Sequence, residues 1–356
     1  FIPLRLIGKI FYNKKKKMYI VAEIGVNHNG SLEKAIKLIE AAKYCGCDAV
    51  KFQSFYAKNL VHKSAKKVEY QLRSGNNNES HFEMIRKLEF NGEKFRKAFE
   101  CANKLKIDFI TTPYDPCSAV DAYSYGVRKF KTASADLCDL YLHDQLSKLK
   151  QIDVFIATGM ANINRIQKTI SRYLKIKPVI LHCVSDYPCS DNSLNLACVH
   201  LLRREFPGYS LGFSDHSVDE LASIVAATLG YSYFERHFTL NKSDEGPDHY
   251  ASSDIEDMKN YVGQLRRVKG IIGNEIKEIQ PEEIGMSNRS KKAIVSKIPL
   301  SKGEKLNLDN TYAIRPAENG ISVDDLEEIL GKELTLDIEK DTFIKPSFLQ
   351  EFKLKN

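Results

Sequence analysis

Short apolar runs alternate with amphipathic helical patterns from Met18 to about residue 273, and this alternation limits the fold more than any other feature of the sequence. Parallel strands need helical crossovers of this kind between them. Eight β-then-α units over roughly 250 residues predict an α/β protein with a (β/α)8 TIM barrel, and a doubly wound parallel sheet is the alternative. The predicted strands are 19–24, 49–53, 108–112, 127–131, 153–157, 179–183, 209–213 and 231–235.

The pattern changes beyond Pro281, where short extended runs and one short helical segment replace the strand–helix alternation. We therefore predict a second, small β-rich domain that docks on a neighbour because so short a chain buries little core by itself. The longest interval between two predicted strands lies after the second one and holds the polar stretch 73–81, which predicts a loop that covers a substrate. The predicted divisions are a basic extension at 1–17, a barrel catalytic domain at 18–280, a linker at 281–290 and the small domain at 291–356.

The charge balance argues against nucleic acid as a partner. The formal net charge is +7, and residues 1–17 hold six basic residues and no acidic one, so the remaining chain carries +1 (7 − 6). A body with so little excess charge lacks the basic face that a nucleic-acid-binding protein needs. We interpret 1–17 as an extension upstream of the folded chain, and a short basic amphipathic anchor for an anionic surface is the alternative.

Hydropathy and cysteine usage predict a cytoplasmic protein. No run of 18 apolar residues is present, so we expect no membrane-spanning helix. The eight cysteines form no CxxC pair, and a chain of 356 residues does not need a disulfide framework. We therefore expect reduced cysteines.

Polar side chains stand at or just after the end of every predicted strand. Catalytic side chains of TIM barrels collect at the carboxyl ends of the strands, so we expect these residues to surround one site. They are Glu23, Lys51, Gln53, Thr111, Thr112, Lys131, Ser134, Thr158, His182, Ser185, Tyr187, Ser214, Asp215, His216, Glu235 and His237.

Lys51 and Lys131 stand inside predicted strands and point toward an interior that should be apolar. A buried ammonium without a partner is costly, so each lysine needs an anion. Two such lysines suit the phosphate and carboxylate of one small ligand. The alternative is that each lysine pairs with an internal glutamate, such as Glu23 or Glu235.

His216 and His237 follow neighbouring strands and predict a metal site. Two imidazoles from adjacent strands can hold a divalent metal and leave positions open for water and a substrate oxygen. Two alternatives stay open: one histidine acts only as an acid or base, or the pair is structural. Asp248, in a Gly-Pro-Asp turn, and Tyr187, before Pro188, are weaker candidates, because exposed acidic loops and packed tyrosines are common.

Taken together and in order, the motifs of this chain resemble the sialic acid synthase family, which comprises N-acetylneuraminate synthase and its legionaminate and pseudaminate relatives. The tail resembles the antifreeze-like (SAF) domain of that family, a β-clip module. The matching motifs are AEIGVNHNG (22–30), VKFQ (50–53), TTPYD (111–115), FKTAS (130–134), TGM (158–160), YP (187–188), SDHS (214–217), ERHFT (235–239), GPDH (246–249) and the RP of AIRPAENG (313–320).

The resemblance implies an enzyme that condenses phosphoenolpyruvate with a 2-acylamino hexose and water to give a nonulosonic acid and phosphate. It also implies a divalent metal, commonly manganese, on His216 and His237, although Mg2+ or Co2+ would suit the same ligands. It implies a domain-swapped homodimer in which Arg315 of one subunit reaches the acylamino group in the barrel of the other.

The resemblance further implies roles for individual residues of this chain. Glu23 matches a catalytic glutamate near phosphoenolpyruvate, and the other predicted catalytic residues are Glu235, Asp248 and Tyr187. The predicted substrate-binding residues are Lys51, Gln53, Thr112, Tyr114, Lys131, Ser134, Ser185, Ser214 and Arg315.

Two departures from the family pattern lie near the expected site. Ala157 stands where relatives often have serine, which removes a hydroxyl that Thr158 is expected to replace in part, and Ser185 stands where neuraminate enzymes have asparagine. The acceptor therefore stays open among N-acetylmannosamine, its 6-phosphate and 6-deoxy diacetamido sugars, with an unphosphorylated one favoured. Two other functions remain as alternatives: another phosphoenolpyruvate-dependent sugar acid synthase and a catalytically inactive carbohydrate-binding protein.

Overall fold

A computed structural model describes residues 18–66 and 80–350 of the chain. The chain divides into two compact units, with the boundary between Gly273 and Asn274. The predicted extension 1–17 and most of the polar stretch 73–81 lie outside the described residues.

Unit one is a closed barrel of eight parallel strands that follow one another in chain order, so the TIM-barrel prediction is confirmed. The barrel closes by pairing the first strand with the eighth, with Val21 opposite Glu235. The strands are β1 Tyr19–Gly25, β2 Ala49–Ser54, β3 Asp108–Pro113, β4 Lys129–Thr132, β5 Asp153–Ala157, β6 Val179–His182, β7 Leu211–Asp215 and β8 Tyr233–His237.

Helices connect the strands, and capping and turn residues mark where each helix begins and ends. Ser31 begins α1 by accepting a hydrogen bond from the backbone N–H of Lys34. Gly46, at φ +85°, turns the chain back toward β2. The helices of unit one are α1 Leu32–Tyr44, α2 Ala57–Leu60, α3 His81–Leu88, α4 Gly92–Lys104, α5 Pro116–Ser124, α6 Leu140–Lys148, α7 Ile163–Ile170, α8 Asp191–Leu194, α9 Val199–Glu205, α10 Leu221–Thr228 and α11 Ile255–Ile272. Across 18–66 and 80–350, none of the helices has both the length and the apolar character that crossing a bilayer requires.

The interior of the barrel contains two layers of different chemistry. Nearer the amino ends of the strands is a buried apolar cluster, which we call the lower layer: Val21, Ala49, Ile110, Phe155, Leu181 and Tyr233. On four of the strands, the residues two positions farther along are Glu23, Lys51, Cys183 and Glu235, and all four are buried. We call the four buried charged residues Glu23, Lys51, Lys131 and Glu235 the upper layer. Because side chains alternate between the two faces of a strand, residues two apart share the interior face.

Unit two has its own core and contains a two-stranded antiparallel sheet of β9 Ala293–Ser296 and β10 Thr311–Ile314. Its buried residues include Ile294, Leu300 and Ile329. The segment 281–290, interpreted from the sequence as a linker, contains a 3-10 turn at Pro281–Glu283 and the helix α12 Ile284–Ser290. The last helix is α13 Leu326–Ile329.

Candidate active site

A cavity of about 620 Å³ opens at the carboxyl ends of the barrel strands. It brings together every predicted catalytic, substrate-binding and metal-binding residue except Asp248 and Arg315. The nominated residues that line it are Glu23, Lys51, Gln53, Thr112, Tyr114, Lys131, Ser134, Ser185, Tyr187, Ser214, His216, Glu235 and His237. The strand geometry thus gathers into one space residues that are more than 200 positions apart in the chain.

Both interior lysines are paired with interior glutamates. The Nζ atom of Lys51 lies 2.7 Å from Oε2 of Glu23, and the Nζ atom of Lys131 lies 2.5 Å from Oε1 of Glu235. The alternative of internal pairing is therefore what the barrel contains, and the assignment of the two lysines to the phosphate and carboxylate of a ligand stays a prediction. The desolvation cost of each ammonium is offset by a carboxylate on another strand before any ligand binds.

The two ion pairs differ in how firmly they hold their charges. Burial raises the pKa of Glu23 despite the attraction of Lys51, and burial likewise lowers the pKa of Lys51. At the other pair, burial alone would raise the pKa of Glu235, but Lys131 and then Lys51 outweigh it and lower that pKa to about 2. Glu235 is thus a fixed anion. The pKa values of Glu23 and Lys51 shift toward each other, which favours exchange of a proton at that pair.

Glu235 is held on both carboxylate oxygens. The hydroxyl of Ser214 donates to Oε1 at 2.9 Å, and the hydroxyl of Tyr233 donates to Oε2 at 3.0 Å. Lys51, in turn, donates to Oγ1 of Thr112 at 3.1 Å. A carboxylate with two hydroxyl donors and an ammonium is oriented and charged, so Glu235 suits electrostatic positioning better than proton transfer.

His216 and His237 lie side by side, with ring centroids 5.9 Å apart. Nδ1 of His216 donates to the carbonyl oxygen of Val184 at 2.7 Å, so its Nε2 keeps a lone pair. Nδ1 of His237 is buried and has no hydrogen-bond partner among the described residues. Burial, the largest cause, lowers the pKa of both imidazoles, that of His216 to about 4, so both are neutral near pH 7.

The donor set fits a divalent metal with open coordination positions. Two neutral imidazoles, one oriented by a backbone carbonyl, are the ligands expected of such a centre. Within 18–66 and 80–350, no three or more histidine, cysteine, aspartate or glutamate side chains converge closely enough to enclose an ion. Water and substrate oxygens would therefore have to complete the coordination, as in a catalytic rather than a structural site.

Asp248 lies beside the imidazole pair instead of in the main cavity. Its Oδ2 is 3.8 Å from Nδ1 of His237, and burial, followed by Glu23, raises the pKa of Asp248 to about 7. Gly25, at φ +55°, leaves room here: a Cβ on it would approach Gln53, Glu23 and Asp248 to within 3.3–3.6 Å. Asp248, Gln53 and Glu23 thus converge on one small volume next to His237.

The hydroxyl groups at the other end of the cavity surround Gly159. Its N–H donates to Oγ of Ser134 at 3.1 Å, and a Cβ at this glycine would lie 2.7 Å from the hydroxyls of both Ser134 and Ser185. Thr158 does not replace the hydroxyl missing at Ala157, because it donates to the carbonyl oxygen of Leu181 at 2.8 Å. That part of the sequence-based expectation is wrong.

Three polar residues nominated at strand ends face away from the barrel interior. Thr111 donates to Ser54 at 3.0 Å, His182 donates through Nε2 to the carbonyl oxygen of Leu194 at 2.7 Å, and Asp215 pairs with Arg236 at 3.0 Å. These are structural groups with satisfied partners, of which Thr111 and Asp215 are buried and His182 is half-buried. The expectation that all the strand-end polar residues surround the site is therefore wrong at these positions.

The sequence also missed residues that line the cavity, of which Cys183 is the most notable. Its Sγ is 3.0 Å from Oγ of Ser134, and the residue follows the outward-facing His182. Counting by two from Leu181, which faces inward, would have found Cys183. Met160, at φ +58°, and the exposed Asp186 also line the cavity.

Tyr187 and Arg315 complete the nominated set. The ring of Tyr187 lies 4.2 Å from that of His216 and meets that of His237 edge-on at 5.8 Å, so it packs against the imidazole pair. Arg315 belongs to unit two, directly after β10.

Comparison with known proteins agrees with the resemblance drawn from the motifs. The model of the NeuB family matches residues 38–277, and the model of the SAF domain matches residues 291–350. The chain is 37% identical to the N,N'-diacetyllegionaminic acid synthase of Campylobacter jejuni, over 93% of this chain and 99% of that protein. It is 34% identical to the protein of the same name from Legionella pneumophila, over 91% of this chain and 92% of that protein.

A solved structure has the same fold. The N-acetylneuraminic acid synthetase of Leptospira borgpetersenii, in complex with citrate, superimposes with a TM-score of 0.65 and is 27% identical. The match covers 76% of this chain and 90% of that one.

Proposed function

The chain belongs to the NeuB family, and we propose that it is a carbon–carbon bond-forming transferase that condenses phosphoenolpyruvate with a 2-acylamino hexose and water, giving a nonulosonic acid and phosphate. One observation carries this proposal: a single cavity holds two interior lysine–glutamate pairs next to two neutral imidazoles. The names of the relatives, which are synthases of legionaminic acid, support the same reaction class.

The end of the cavity near Lys131 suits the anionic groups of phosphoenolpyruvate. An ammonium has three N–H donors, and Lys131 is bonded to one oxygen of Glu235, so donors remain for a ligand. The hydroxyls of Ser134, Ser185 and Ser214 lie around the same space. We assign phosphoenolpyruvate to this end because fixed donors stabilise charge that develops on its phosphate during the reaction.

The imidazole end suits the carbonyl group of the acceptor. His216 and His237 would hold a divalent metal, which supplies Lewis-acid polarisation of the acceptor aldehyde when it is bound. Tyr187 packs against both rings and restricts their rotation. Gln53 and Asp248, on the far side of His237, are the groups that we assign to the hydroxyls of the sugar.

The order of bond changes follows from these two ends. Carbon 3 of phosphoenolpyruvate attacks the aldehyde carbon and forms the new C–C bond, while the C=O π electrons pass to the aldehyde oxygen, which takes up a proton and becomes a hydroxyl. Loss of the C2–C3 π electrons leaves positive character at carbon 2. Water adds to carbon 2 and gives up a proton to a base. The C2–O bond to phosphate then breaks, so phosphate leaves with the bonding electrons, and the new C2 hydroxyl loses its proton to give the keto group of the product. We assign the base role to Glu23, because burial raises its pKa and so makes its carboxylate a stronger base, whereas Glu235 is held as a fixed anion.

Phosphate release is the direct test. The purified chain with Mn2+, phosphoenolpyruvate and an acylamino mannose should release phosphate, and the product should have the mass of a nonulosonic acid. A chelator should abolish release, and added Mn2+ should restore it. His237→Ala should lower kcat by at least about 10³-fold, since a lost ligand disables the centre. His200→Ala is the matched control, because this exposed histidine lies on the outer helix α9.

Metal content gives a second readout that does not depend on turnover. Equilibrium dialysis should find about one Mn2+ per chain in the unmodified protein and in His200→Ala, and none in His216→Ala or His237→Ala. Sugar binding without phosphate release from any acceptor would instead favour a carbohydrate-binding protein. Turnover of arabinose or erythrose phosphates alone would favour another sugar acid synthase.

We further propose that the enzyme works as a homodimer in which Arg315 of one copy acts on the acylamino group bound by the other. A complementation experiment tests this directly. His237→Ala and Arg315→Ala should each be nearly inactive alone, and a refolded equimolar mixture should regain up to about a quarter of the unmodified activity, because one of the two sites in a mixed dimer is intact. No regain in a verified mixed dimer would show that both residues act within one copy.

The eight free cysteines are compatible with the reducing cytoplasm, where we place the enzyme.

A further inference from the structure

A side-chain amide joins the loop after β1 to the loop after β8, and we call these the first loop (26–31) and the eighth loop (238–254). Nδ2 of Asn27 donates to the carbonyl oxygen of Phe238 at 3.0 Å. The same nitrogen donates to Oγ of Ser252 at 2.9 Å. One amide group of the first loop therefore holds the eighth loop both at its beginning and near its end.

The hydroxyl of Ser252 passes this restraint on to Asp248. It accepts from Asn27 and donates to the carbonyl oxygen of Asp248 at 2.6 Å. Oδ2 of Asp248 lies 3.8 Å from Nδ1 of His237. A hydrogen bond to the peptide of Asp248 fixes the backbone from which that side chain extends. The relay Asn27–Ser252–Asp248 therefore determines where the carboxyl group lies beside the imidazole pair.

Asn27 and Ser252 are set back from the space that an acceptor would occupy. Both residues are buried, with exposed fractions of 0% and 4%, and neither of them lines the main cavity. Any effect that they have on the acceptor is therefore exerted through Asp248.

The amide of Asn27 is satisfied at one end and not at the other. Its Oδ1 is buried and has no hydrogen-bond partner among the described residues. Burial of an unpaired polar atom destabilises a fold, so an asparagine at this position has a cost. The two hydrogen bonds from Nδ2 to the eighth loop are the gain that offsets this cost.

The neighbouring Ser253 is equally buried but has a different partner. It is 3% exposed, and its Oγ accepts from Nε of Arg236 at 2.7 Å. Arg236 pairs with Asp215, which faces away from the barrel interior. Of these two adjacent serines, Ser252 is the one whose hydroxyl is bonded to Asp248.

We propose that Asn27 is a positioning residue that acts through Ser252 and Asp248, and that it sets the affinity for the acceptor and not that for phosphoenolpyruvate. This inference rests on the proposed function, in which Asp248 binds hydroxyls of the sugar and phosphoenolpyruvate lies near Lys131. A carboxyl group displaced by about 1 Å loses most of a hydrogen bond to a sugar hydroxyl. Breaking the relay therefore weakens binding of the acceptor and leaves the donors around phosphoenolpyruvate in place.

The two adjacent serines provide the test, with phosphate release measured over ranges of the acylamino mannose and of phosphoenolpyruvate. Ser252→Ala should raise KM for the acceptor by about 10-fold and change KM for phosphoenolpyruvate by less than about 2-fold. Ser253→Ala, the matched control, should leave both KM values unchanged. Urea unfolding should show similar losses of stability in the two variants, since each loses one buried hydroxyl, and dialysis should find their Mn2+ content unchanged.

Two results would show that the relay has only a structural role and would overturn the proposal. One is an equal rise of both KM values in Ser252→Ala. The other is the same rise of the acceptor KM in Ser253→Ala as in Ser252→Ala. Absence of phosphate release from the unmodified chain with every acylamino sugar would instead overturn the proposed reaction, and the inference with it.

Two further variants approach the relay from its ends. Asn27→Ala should reproduce the selective rise of the acceptor KM, so the test does not depend on Ser252→Ala alone. A double-mutant cycle with Asp248→Ala then separates positioning from an independent role. In the Asp248→Ala background, Ser252→Ala should lower kcat/KM by less than about 2-fold, because the carboxyl group that it positions is already absent. A further fall of about 10-fold in that background would contradict positioning through Asp248.

Discussion

Three residues of the upper layer, Glu23, Lys51 and Glu235, stand two positions after residues of the lower layer on the same strands, yet the two layers differ in their chemistry. The lower layer is apolar except for the Tyr233 hydroxyl, and its burial stabilises the barrel in the ordinary way. The upper layer places two ammonium and two carboxylate groups in a space that is equally buried. Such a layer stabilises the fold less than apolar residues of similar volume would. The difference indicates that the lower layer serves stability and the upper layer serves the chemistry.

Glu235→Gln should have the largest effect, because it leaves Lys131 and Lys51 with one carboxylate between them. We expect kcat/KM to fall by at least about 10³-fold and the free energy of unfolding to fall by about 3–5 kcal/mol. Steady-state kinetics and urea unfolding measure the two effects. Glu100→Gln, at an exposed helix position, is the control and should change neither. An active, fully stable Glu235→Gln enzyme would remove the distinction between the layers.

Leu181→Ala tests the lower layer and should affect stability alone. The side chain is fully buried and fills the space over Gly212, where a Cβ would lie 2.6 Å from its Cδ2. We expect the free energy of unfolding to fall by about 2–4 kcal/mol, with kcat/KM unchanged within about 2-fold. Leu174→Ala, at 91% exposure, provides the reference in the same urea titration. A large loss of kcat/KM in a folded Leu181→Ala protein would show that the layers are coupled.

Asp136→Asn sharpens the comparison, because the Asp136 carboxyl follows the cavity-lining Ser134 and forms no ion pair with a cation in the described part of the chain. Asp136 ends the 3-10 turn Ser134–Asp136, and its Oδ2 is buried without a hydrogen-bond partner among the described residues. Burial, with a smaller contribution from Asp139, raises the pKa of Asp136 to about 7, compared with about 4 in an unfolded chain. Its ionisation therefore destabilises the fold, with the full effect above pH 7 and none below pH 4.

We expect Asp136→Asn to raise the free energy of unfolding by about 1–3 kcal/mol at pH 8 and by much less at pH 5. Thermal unfolding at several pH values measures the difference. Asp309→Asn, at an exposed position, should show no such trend. A gain of the same size at both pH values would mean that packing rather than charge is responsible.

Much of the site could be predicted because a barrel brings the ends of its strands together whatever the sequence between them. Glu23, Lys51, His216 and His237 were each found at a strand end, and all four line one cavity. The errors occur at neighbouring positions. Thr111 was nominated with Thr112, and His182 was nominated while Cys183 was passed over.

These errors have one physical cause. Consecutive residues of a strand point to opposite faces of the sheet. Where both residues are polar, the sequence does not show which one faces the barrel interior, and the packing of the helices on the outside decides it. The pairing of Lys131 with Glu235, 104 residues away, likewise depends on closure of β1 onto β8. A second cavity of about 390 Å³ beside the imidazole pair is lined in part by α3 and the segment after β2, whose positions no periodicity predicts.

The sequence by itself determined the barrel, through the period of its apolar runs, and the residue types available to the site, through their place at strand ends. The tertiary structure alone decided which of those residues face the interior, that the lysines are neutralised by glutamates, and that an apolar cavity adjoins the imidazoles. Periodicity is a local property that the chain carries in its order of residues. Charge pairing and cavity shape arise only when segments distant in the chain meet across the closed barrel.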